Sequence, residues 1–353
     1  MFETRESDGE TVISSVGCFL VLLTLPLWLV IGPVLEFYER IFGKGDSSSD
    51  PGIIGSGGSL ISGWSKETIR RRQKRFLNKL GVSATVFWET DIHYKSVEIP
   101  KRSGGKRELS IPSDALKTLQ RRLVKSLEKE LCHKIHKTAN AYVKGRNTVT
   151  NAVPHLGCAV LIKLDIKDFF PSVSRDMVEP FLSYFAYQEP QSVVRLLDLC
   201  MTDNGLPQGA PTSPILSNLV LRKFDIAAYQ LANLMGAKYT RYADDLTFSL
   251  TEDDPFTARK IVGAVRSMLA DHGFELNEKP NKLKILRSHQ AQQICGITLN
   301  SGRLTISRKQ RRRVRAARHA IEEGRPAVMT MAAVQGCECY FNYAGNTVDF
   351  LQK

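Results

Sequence analysis

The sequence predicts an α+β fold in which antiparallel hairpins are mixed with helices. Strand-like segments on either side of turn-forming residues predict hairpins at 96–111, 238–250 and 294–306. Amphipathic periodicity and capping residues predict helices at 65–80, 114–136, 174–187, 255–272 and 307–323. Because the strands do not alternate regularly with helices, the pattern argues against a parallel sheet built from βαβ units.

The charge of the chain restricts the class of its partners. Its 353 residues include 49 Lys and Arg against 36 Asp and Glu, a formal net charge of +13. Such an excess predicts a polyanionic partner, either nucleic acid or an acidic membrane surface. The seven cysteines are odd in number and irregularly spaced, which argues against a disulfide framework and favours a reducing compartment.

A nearly uncharged apolar segment at residues 12–35 predicts a single transmembrane helix, since about 20 apolar residues cross a bilayer. The residues before it are mostly acidic, which argues against a cleaved signal peptide; a buried core helix is the other alternative. Lys and Arg accumulate on its C-terminal side, which the positive-inside tendency places in the cytoplasm. We therefore expect a membrane segment at 1–45 and a Gly/Ser-rich linker at 46–64.

Three aspartates from two distant segments form the most specific motif. Residues 242–245 read Tyr-Ala-Asp-Asp between two strand-like stretches, and Asp165 ends an apolar strand predicted at 159–166. Neighbouring residues of a strand point to opposite faces, so Asp244 and Asp245 can share one site only where the chain turns. Close carboxylates repel, and a divalent cation removes the conflict. The set predicts two Mg²⁺ ions about 3.5–4 Å apart for nucleotidyl transfer; an ordinary acidic turn is the alternative.

These segments resemble the reverse transcriptase family. Residues 242–245 are similar to its palm motif, 164–170 to the preceding metal-ligand motif, and 205–214 to the loop that contacts nucleotide and template. The resemblance implies a right-hand polymerase fold, with fingers and an antiparallel-sheet palm at 65–300 and a helical thumb at 301–353, preceded by one N-terminal transmembrane helix. It also implies an RNA-directed DNA polymerase whose catalytic and metal-binding residues are Asp165, Asp244 and Asp245, with Ile166 completing the metal site.

The same resemblance implies a set of dNTP-binding residues. Lys101 and Arg107, in the predicted fingers hairpin, would grip the triphosphate, although a solvated basic turn is the alternative for both. Gln208 would reach the sugar or phosphate of the nucleotide. Phe170 would be an aromatic gate that excludes a ribose 2′-hydroxyl, so that DNA is the product. Lys282 would be the palm lysine that protonates the departing pyrophosphate.

Two further groups of residues are expected to contact RNA or DNA. The basic helix at 307–323 resembles the thumb, and a solvated basic face is its alternative. The thumb residues expected to follow the phosphates are Arg308, Arg311, Arg312 and Arg315. Asn151 and His155 lie in a segment, Asn-Ala-Val-Pro-His, that matches a retron signature. A second retron signature, Val-Thr-Gly, corresponds to Ile-Cys-Gly at 294–296, where only the glycine is kept.

The retron resemblance implies a specific product and setting. The enzyme would copy part of a structured noncoding RNA into single-stranded DNA, primed from an RNA 2′-hydroxyl, and would hold an RNA–DNA hybrid. This product, msDNA, would belong to an anti-phage defence system with an effector protein, and the membrane segment would be part of the effector or its tether. We expect a single-pass protein of the cell inner membrane with a cytoplasmic catalytic domain. The alternatives are a group II intron or diversity-generating reverse transcriptase, and a membrane-anchored RNA-binding protein without polymerase activity.

Overall fold

The computed structural model describes residues 64–100 and 105–351 of the chain, and it leaves out the side chains of residues 301 and 347–351. Within these described residues, no helix combines the length and the apolar character that crossing a membrane requires. The predicted transmembrane segment at 12–35 and nearly all of the predicted linker at 46–64 lie outside them. Lys101 also lies outside them, so its predicted contact with the triphosphate stays a prediction.

Helices account for about half of the described residues. In chain order they are α1 (Lys66–Leu80), α2 (Ala84–Glu89), α3 (Asp114–Leu131), α4 (Thr148–Ala152), α5 (Arg175–Phe185), α6 (Pro190–Cys200), α7 (Ser213–Val220), α8 (Arg222–Leu234), α9 (Pro255–Asp271), α10 (Arg308–Glu322) and α11 (Met331–Leu351). The helices predicted from periodicity appear as α1, α3, α5, α9 and α10, with boundaries shifted by a few residues.

Strands form three separate antiparallel sheets within the described residues. In chain order they are β1 (Tyr94–Pro100), β2 (Lys106–Pro112), β3 (Val160–Asp165), β4 (Ala237–Tyr242), β5 (Asp245–Leu250), β6 (Lys284–Arg287), β7 (Gln293–Ile294), β8 (Ile297–Thr298) and β9 (Thr305–Ile306). Antiparallel sheets and separate helices agree with the predicted α+β class.

The central sheet has the strand order β4-β5-β3-β6 and is antiparallel throughout. The apolar strand β3 lies between β5 and β6, and all of its residues are buried except Lys163, which is half-buried. Its register pairs Val160 with Leu250 at one end and Asp165 with Asp245 at the other. This register places the end of β3 beside the turn between β4 and β5.

The segment predicted to form the fingers contains the two-stranded sheet β1–β2 together with α1, α2 and α3, and the predicted palm contains the central sheet. A Ser113 cap begins α3, and its leucines recur every three or four residues to form a buried stripe. The rings of Phe76, Phe87 and Phe185 join α1, α2 and α5, with edge-to-face centroid distances of 5.2 and 5.9 Å.

The predicted helix at 114–136 is too long, because α3 ends at Leu131 and a 3₁₀ turn follows. The chain must turn there because the next segment runs parallel to β4. Ala139 bridges to Arg241, and the Asn140 N–H donates to the Arg241 carbonyl at 2.8 Å. These backbone bonds carry the chain from the fingers to the palm.

The small sheet β7-β8-β9 corrects the single hairpin predicted at 294–306. A tight turn at Cys295 and Gly296 joins β7 to β8, and both residues have positive φ (48° and 84°). A 3₁₀ turn at Asn300–Gly302 then leads to β9, which pairs with β8. The small sheet therefore continues past residue 300, where the boundary between palm and thumb was predicted, and α10 is the first helix after it.

Candidate active site

The hairpin of β4 and β5 presents two of the three predicted carboxylates at its tip. Tyr242 pairs with Asp245, and Ala243 and Asp244 form the turn between them. Ala243 has φ 57°, a left-handed conformation that side-chain-bearing residues rarely adopt outside turns. Asp244 therefore lies in the turn and Asp245 begins β5, so the two acids are not neighbours within one regular strand and need not point to opposite faces.

The third carboxylate meets this tip through the register of the central sheet. Asp165 is the direct cross-strand partner of Asp245, and the Ile166 N–H donates to the Asp244 carbonyl at 3.0 Å. Directly opposed residues of an antiparallel pair lie close enough for their side chains to interact. Asp165, Asp244 and Asp245 therefore come together at one end of the palm, although about 80 residues of chain separate β3 from β5.

A buried ion pair supports the turn from the other face of the sheet. Asp225 of α8 accepts hydrogen bonds from Arg241 Nε and Nη2 at 2.8 and 2.6 Å, and both side chains are fully buried. Arg241 Nη1 donates to the Asn218 amide oxygen at 3.0 Å and to the Ala243 carbonyl at 3.1 Å. Burial alone would lower the pKa of Arg241, but Asp225 outweighs it and the pKa is raised. Sequence reasoning treated Arg241 only as a flanking residue, and the polar strand Ala237–Tyr242, which also carries Lys238, holds no local signal that distinguishes it.

Two residues hold the Asp165 carboxylate. Asn277 Nδ2 donates to Asp165 Oδ1 at 2.7 Å, and its backbone N–H donates to the Asp165 carbonyl at 2.8 Å. Lys282 Nζ contacts Asp165 Oδ2 at 2.6 Å and remains half exposed. Lys282 thus lies at the site where it was predicted, against a catalytic carboxylate. Asn277 was missed, because nothing local in its polar segment distinguishes it.

The electrostatics of the site are those of crowded carboxylates. Burial, followed by the charges of Asp245 and Asp165, raises the pKa of Asp244 from its ordinary value of 3.8 to about 6. Burial also raises the pKa of Asp245, with Asp165 adding to the effect. Each shift means that the ionised form is disfavoured in the protein, so the tip is a place where a cation would be bound favourably.

The donor set fits Mg²⁺, a hard cation that prefers oxygen ligands and takes one or two carboxylates together with substrate phosphates. Among the described residues, no three His, Cys, Asp or Glu side chains are already gathered as a metal cage. The three aspartates supply carboxylate oxygens at adjoining positions, and a divalent cation held there would offset the burial and the mutual repulsion that raise the pKa of Asp244. Ile166 has a buried apolar side chain, so only its backbone can offer an oxygen.

The predicted nucleotide-contacting loop packs against both palm and fingers. The Phe170 carbonyl accepts from the Leu206 N–H at 3.0 Å, and the Gln208 carbonyl accepts from the Ser110 N–H of β2 at 2.8 Å. Gly209 approaches β2 so closely that a Cβ would lie 2.9 Å from the Ser110 oxygen. Phe170 and Gln208 are both half-buried, so part of each side chain remains accessible.

Arg107 and an unpredicted tyrosine complete the surroundings of the tip. Arg107 is exposed on β2. Tyr142 has φ 61° and is half exposed. Burial, then Asp244, raises the pKa of Tyr142, whereas Arg107 lowers it. Tyr142 thus lies within electrostatic reach of both the palm carboxylate and the fingers arginine.

Asn151 and His155, the two residues of the retron signature that were predicted to contact RNA or DNA, are too deeply buried for direct contact with nucleic acid. Asn151 is 0% exposed and His155 is 1% exposed. His155 is bonded to Ser249 and Thr240, on β5 and β4. The predicted role as RNA- or DNA-contacting side chains therefore needs correction, because both side chains are enclosed beneath the central sheet.

The predicted thumb arginines are presented differently from their neighbour Arg318. Four exposed residues recur at helical spacing along one side of α10: Arg308, Arg311, Arg312 and Arg315. Arg318 instead pairs with Glu338 of α11, through an Nε–Oε1 hydrogen bond of 2.9 Å, and so joins the two thumb helices. The first four remain open to a polyanion, and their role stays a prediction.

Comparison with known proteins agrees with this geometry. The family model described as reverse transcriptase (RNA-dependent DNA polymerase) matches residues 99–299. The retron Mx65 reverse transcriptase of Myxococcus xanthus is 38% identical over 68% of this chain and 60% of that protein. The retron Mx162 reverse transcriptase of the same organism is 33% identical over 67% and 54%. The retron Ec86 reverse transcriptase of Escherichia coli is 30% identical over 67% and 72%.

The match spans less than two thirds of the length of both Myxococcus proteins. The residues matched by the family model include the central sheet, the turn at Ala243 and Asp244, and the loop that packs on β2. With Asp165 paired to Asp245 beside the turn that carries Asp244, this chain belongs to the reverse transcriptase family, and within it to the retron type.

Proposed function

We propose that this chain is an RNA-directed DNA polymerase that extends a primer with deoxynucleotides. The observation that carries the proposal is the meeting of Asp165, Asp244 and Asp245 at one end of the palm. These carboxylates would hold two Mg²⁺ ions, which lower the pKa of the attacking hydroxyl and stabilise the leaving pyrophosphate. Lys282, half exposed and against Asp165, is the candidate acid for the leaving group.

The proposed product is DNA, and Phe170 supports this choice. Its carbonyl is tied to the Leu206 N–H and its ring packs against Phe169 at a centroid distance of 5.1 Å. A ring held in this way can exclude a 2′-hydroxyl by steric clash. Phe170→Ala should therefore raise incorporation of ribonucleotides relative to deoxynucleotides, measured as the ratio of kcat/KM for the two. An unchanged ratio would remove Phe170 from this role.

A primer-extension assay on poly(rA)·oligo(dT) with dTTP and Mg²⁺ tests the polymerase. Asp244→Asn keeps the size of the side chain and removes one metal ligand, so extension should fall to background. Asp271→Asn is the matched control, because Asp271 is an exposed aspartate at the end of α9. If the wild-type chain binds the duplex and does not extend it, the alternative of an RNA-binding protein without polymerase activity is favoured.

We propose further that the template is a structured noncoding RNA and that priming uses an RNA 2′-hydroxyl. Support comes from the Asn151–His155 signature and from three retron reverse transcriptases that are 30–38% identical. Sequencing RNA and DNA that co-purify with the protein tests this proposal. A single DNA species joined to RNA, and released by a 2′,5′-debranching enzyme, is expected. Unbranched, heterogeneous DNA would favour a group II intron or diversity-generating enzyme.

The proposed setting is anti-phage defence at the cell inner membrane, with the catalytic domain in the cytoplasm. The support is the apolar segment at 12–35 followed by Lys and Arg. Deleting residues 1–45 should release the protein from the membrane fraction and should abolish protection against phage while DNA synthesis continues. Protection that survives the deletion would contradict a role of this segment as effector or tether.

A further inference from the structure

His155 connects the two strands that carry the catalytic turn. Its Nδ1 lies 2.7 Å from Ser249 Oγ on β5, and its Nε2 lies 2.8 Å from Thr240 Oγ1 on β4. Thr240 precedes Asp244 by four residues, and Ser249 follows Asp245 by four residues. The imidazole therefore spans both strands of the hairpin at a fixed distance behind its tip.

The hydrogen bonds around Thr240 determine which nitrogen of the His155 imidazole carries the proton. The Thr240 hydroxyl donates to the Asn151 carbonyl at 3.2 Å, so its oxygen must accept from His155 Nε2–H. Nδ1 then carries a lone pair and accepts from the Ser249 hydroxyl. Both ring nitrogens of His155 and both hydroxyls therefore have partners, whereas the buried Asn151 Oδ1 has none among the described residues. Burial lowers the pKa of His155 to about 3, which agrees with a neutral ring at physiological pH.

Asn151 ties the same network to the small sheet. Its Nδ2 donates to Cys295 Sγ at 3.8 Å, in the tight turn between β7 and β8. Cys295 is the middle residue of the second, divergent retron signature, so the two signature segments touch each other beneath the palm. Cys295 is half-buried, whereas Asn151 and His155 are fully enclosed, so RNA has no access to either of these two side chains.

We propose that His155 is a positioning residue, which joins β4 to β5 and thereby sets where Asp244 and Asp245 lie. Asn151 supports it by accepting from Thr240 and by contacting Cys295. The signature would thus act on the chemistry of the palm instead of on the selection of RNA. This inference rests on the proposed polymerase function, since it assigns His155 a role in that reaction.

Activity on a generic duplex separates positioning from RNA recognition, because poly(rA)·oligo(dT) has no structured RNA to recognise. His155→Ala should lower kcat for dTMP incorporation by roughly 10–100-fold, since small misplacements of catalytic groups have effects of this size. KM for dTTP and Kd for the duplex should stay within about twofold. His155→Gln, whose amide can still donate to Thr240, should recover part of kcat.

If His155→Ala folds poorly, substitutions of its hydrogen-bond partners Ser249 and Thr240 test the same proposal. Ser249→Ala and Thr240→Val remove one hydroxyl each and preserve shape, and both should lower kcat. Adding Ser249→Ala to His155→Ala should have little further effect, because both changes break the same bond. Ser192→Ala is the matched control, since this hydroxyl is also buried but has no partner among the described residues.

The outcomes distinguish the inference from the proposed function. No extension by the wild-type chain would refute the polymerase itself. Full kcat for Ser249→Ala, Thr240→Val and His155→Gln, with an active wild type, would overturn the positioning role. If His155→Ala keeps full kcat on poly(rA)·oligo(dT) but no longer co-purifies with RNA, the positioning role is overturned in favour of RNA recognition.

Discussion

Replacing Asp225 by Asn tests how strongly the buried ion pair supports the catalytic turn. The carboxylate accepts from Arg241 Nε, Arg241 Nη2 and the Tyr239 hydroxyl, at 2.8, 2.6 and 2.9 Å. An amide keeps one oxygen, loses the charge and leaves the Arg241 cation fully buried. Breaking a buried pair in this way costs about 3–5 kcal/mol of folding free energy. Tyr239→Phe removes only the third bond and should cost less, about 1.5–3 kcal/mol.

Urea unfolding followed by circular dichroism measures these free energies. The double variant Asp225→Leu/Arg241→Met replaces both charges by apolar groups and should lose less stability than Asp225→Asn. It should nevertheless lose primer-extension activity, because the Ala243 carbonyl no longer receives the bond from Arg241 Nη1. A cost below about 1 kcal/mol for Asp225→Asn, or full activity in the double variant, would refute this account.

Three further predictions concern the catalytic tip, a close backbone approach and the thumb. Asp244 has a folded pKa of about 6, above its ordinary 3.8, so its contribution to stability is present below pH 4 and is lost as pH rises through 6. Asp244→Asn should therefore raise the melting temperature in EDTA at pH 8, with no gain below pH 4. Gly205→Ala should destabilise the protein far more than Gly236→Ala in urea unfolding, because both have positive φ but only Gly205 would place a Cβ against the Pro171 carbonyl. Arg312→Ala should weaken duplex binding and flatten its salt dependence by roughly one unit of slope, whereas Arg318→Ala should mainly lower thumb stability; equal salt slopes would contradict the difference.

Much of the palm was predictable because its signals are local. A strand ending in Asp165 and a turn flanked by strands need only neighbouring residues to be recognised, and the structure places them side by side. The thumb arginines recur at helical spacing, which periodicity shows directly. The hairpin predicted at 294–306 is confirmed for β8 and β9, which turn at Asn300–Gly302, but β7 was missed because two-residue strands are too short for alternation to reveal.

The supports of the site were not predictable in the same way. Asn277 reaches Asp165 across 112 positions of sequence, and Arg241 reaches Asp225 on a helix that packs against the sheet. Such partners depend on strand register and helix packing, which no single segment encodes. His155 shows the same limit, since its motif was recognisable but its burial was not.

By itself the sequence determined the chemistry of this protein: three acids, the loop at 205–214 and a basic helix stand in an order typical of polymerases. Only the tertiary structure decided which side chains face nucleic acid and which hold the catalytic turn. The physical reason is that the type and spacing of residues determine which chemistry a side chain can perform. Strand register and burial determine which other groups that side chain contacts.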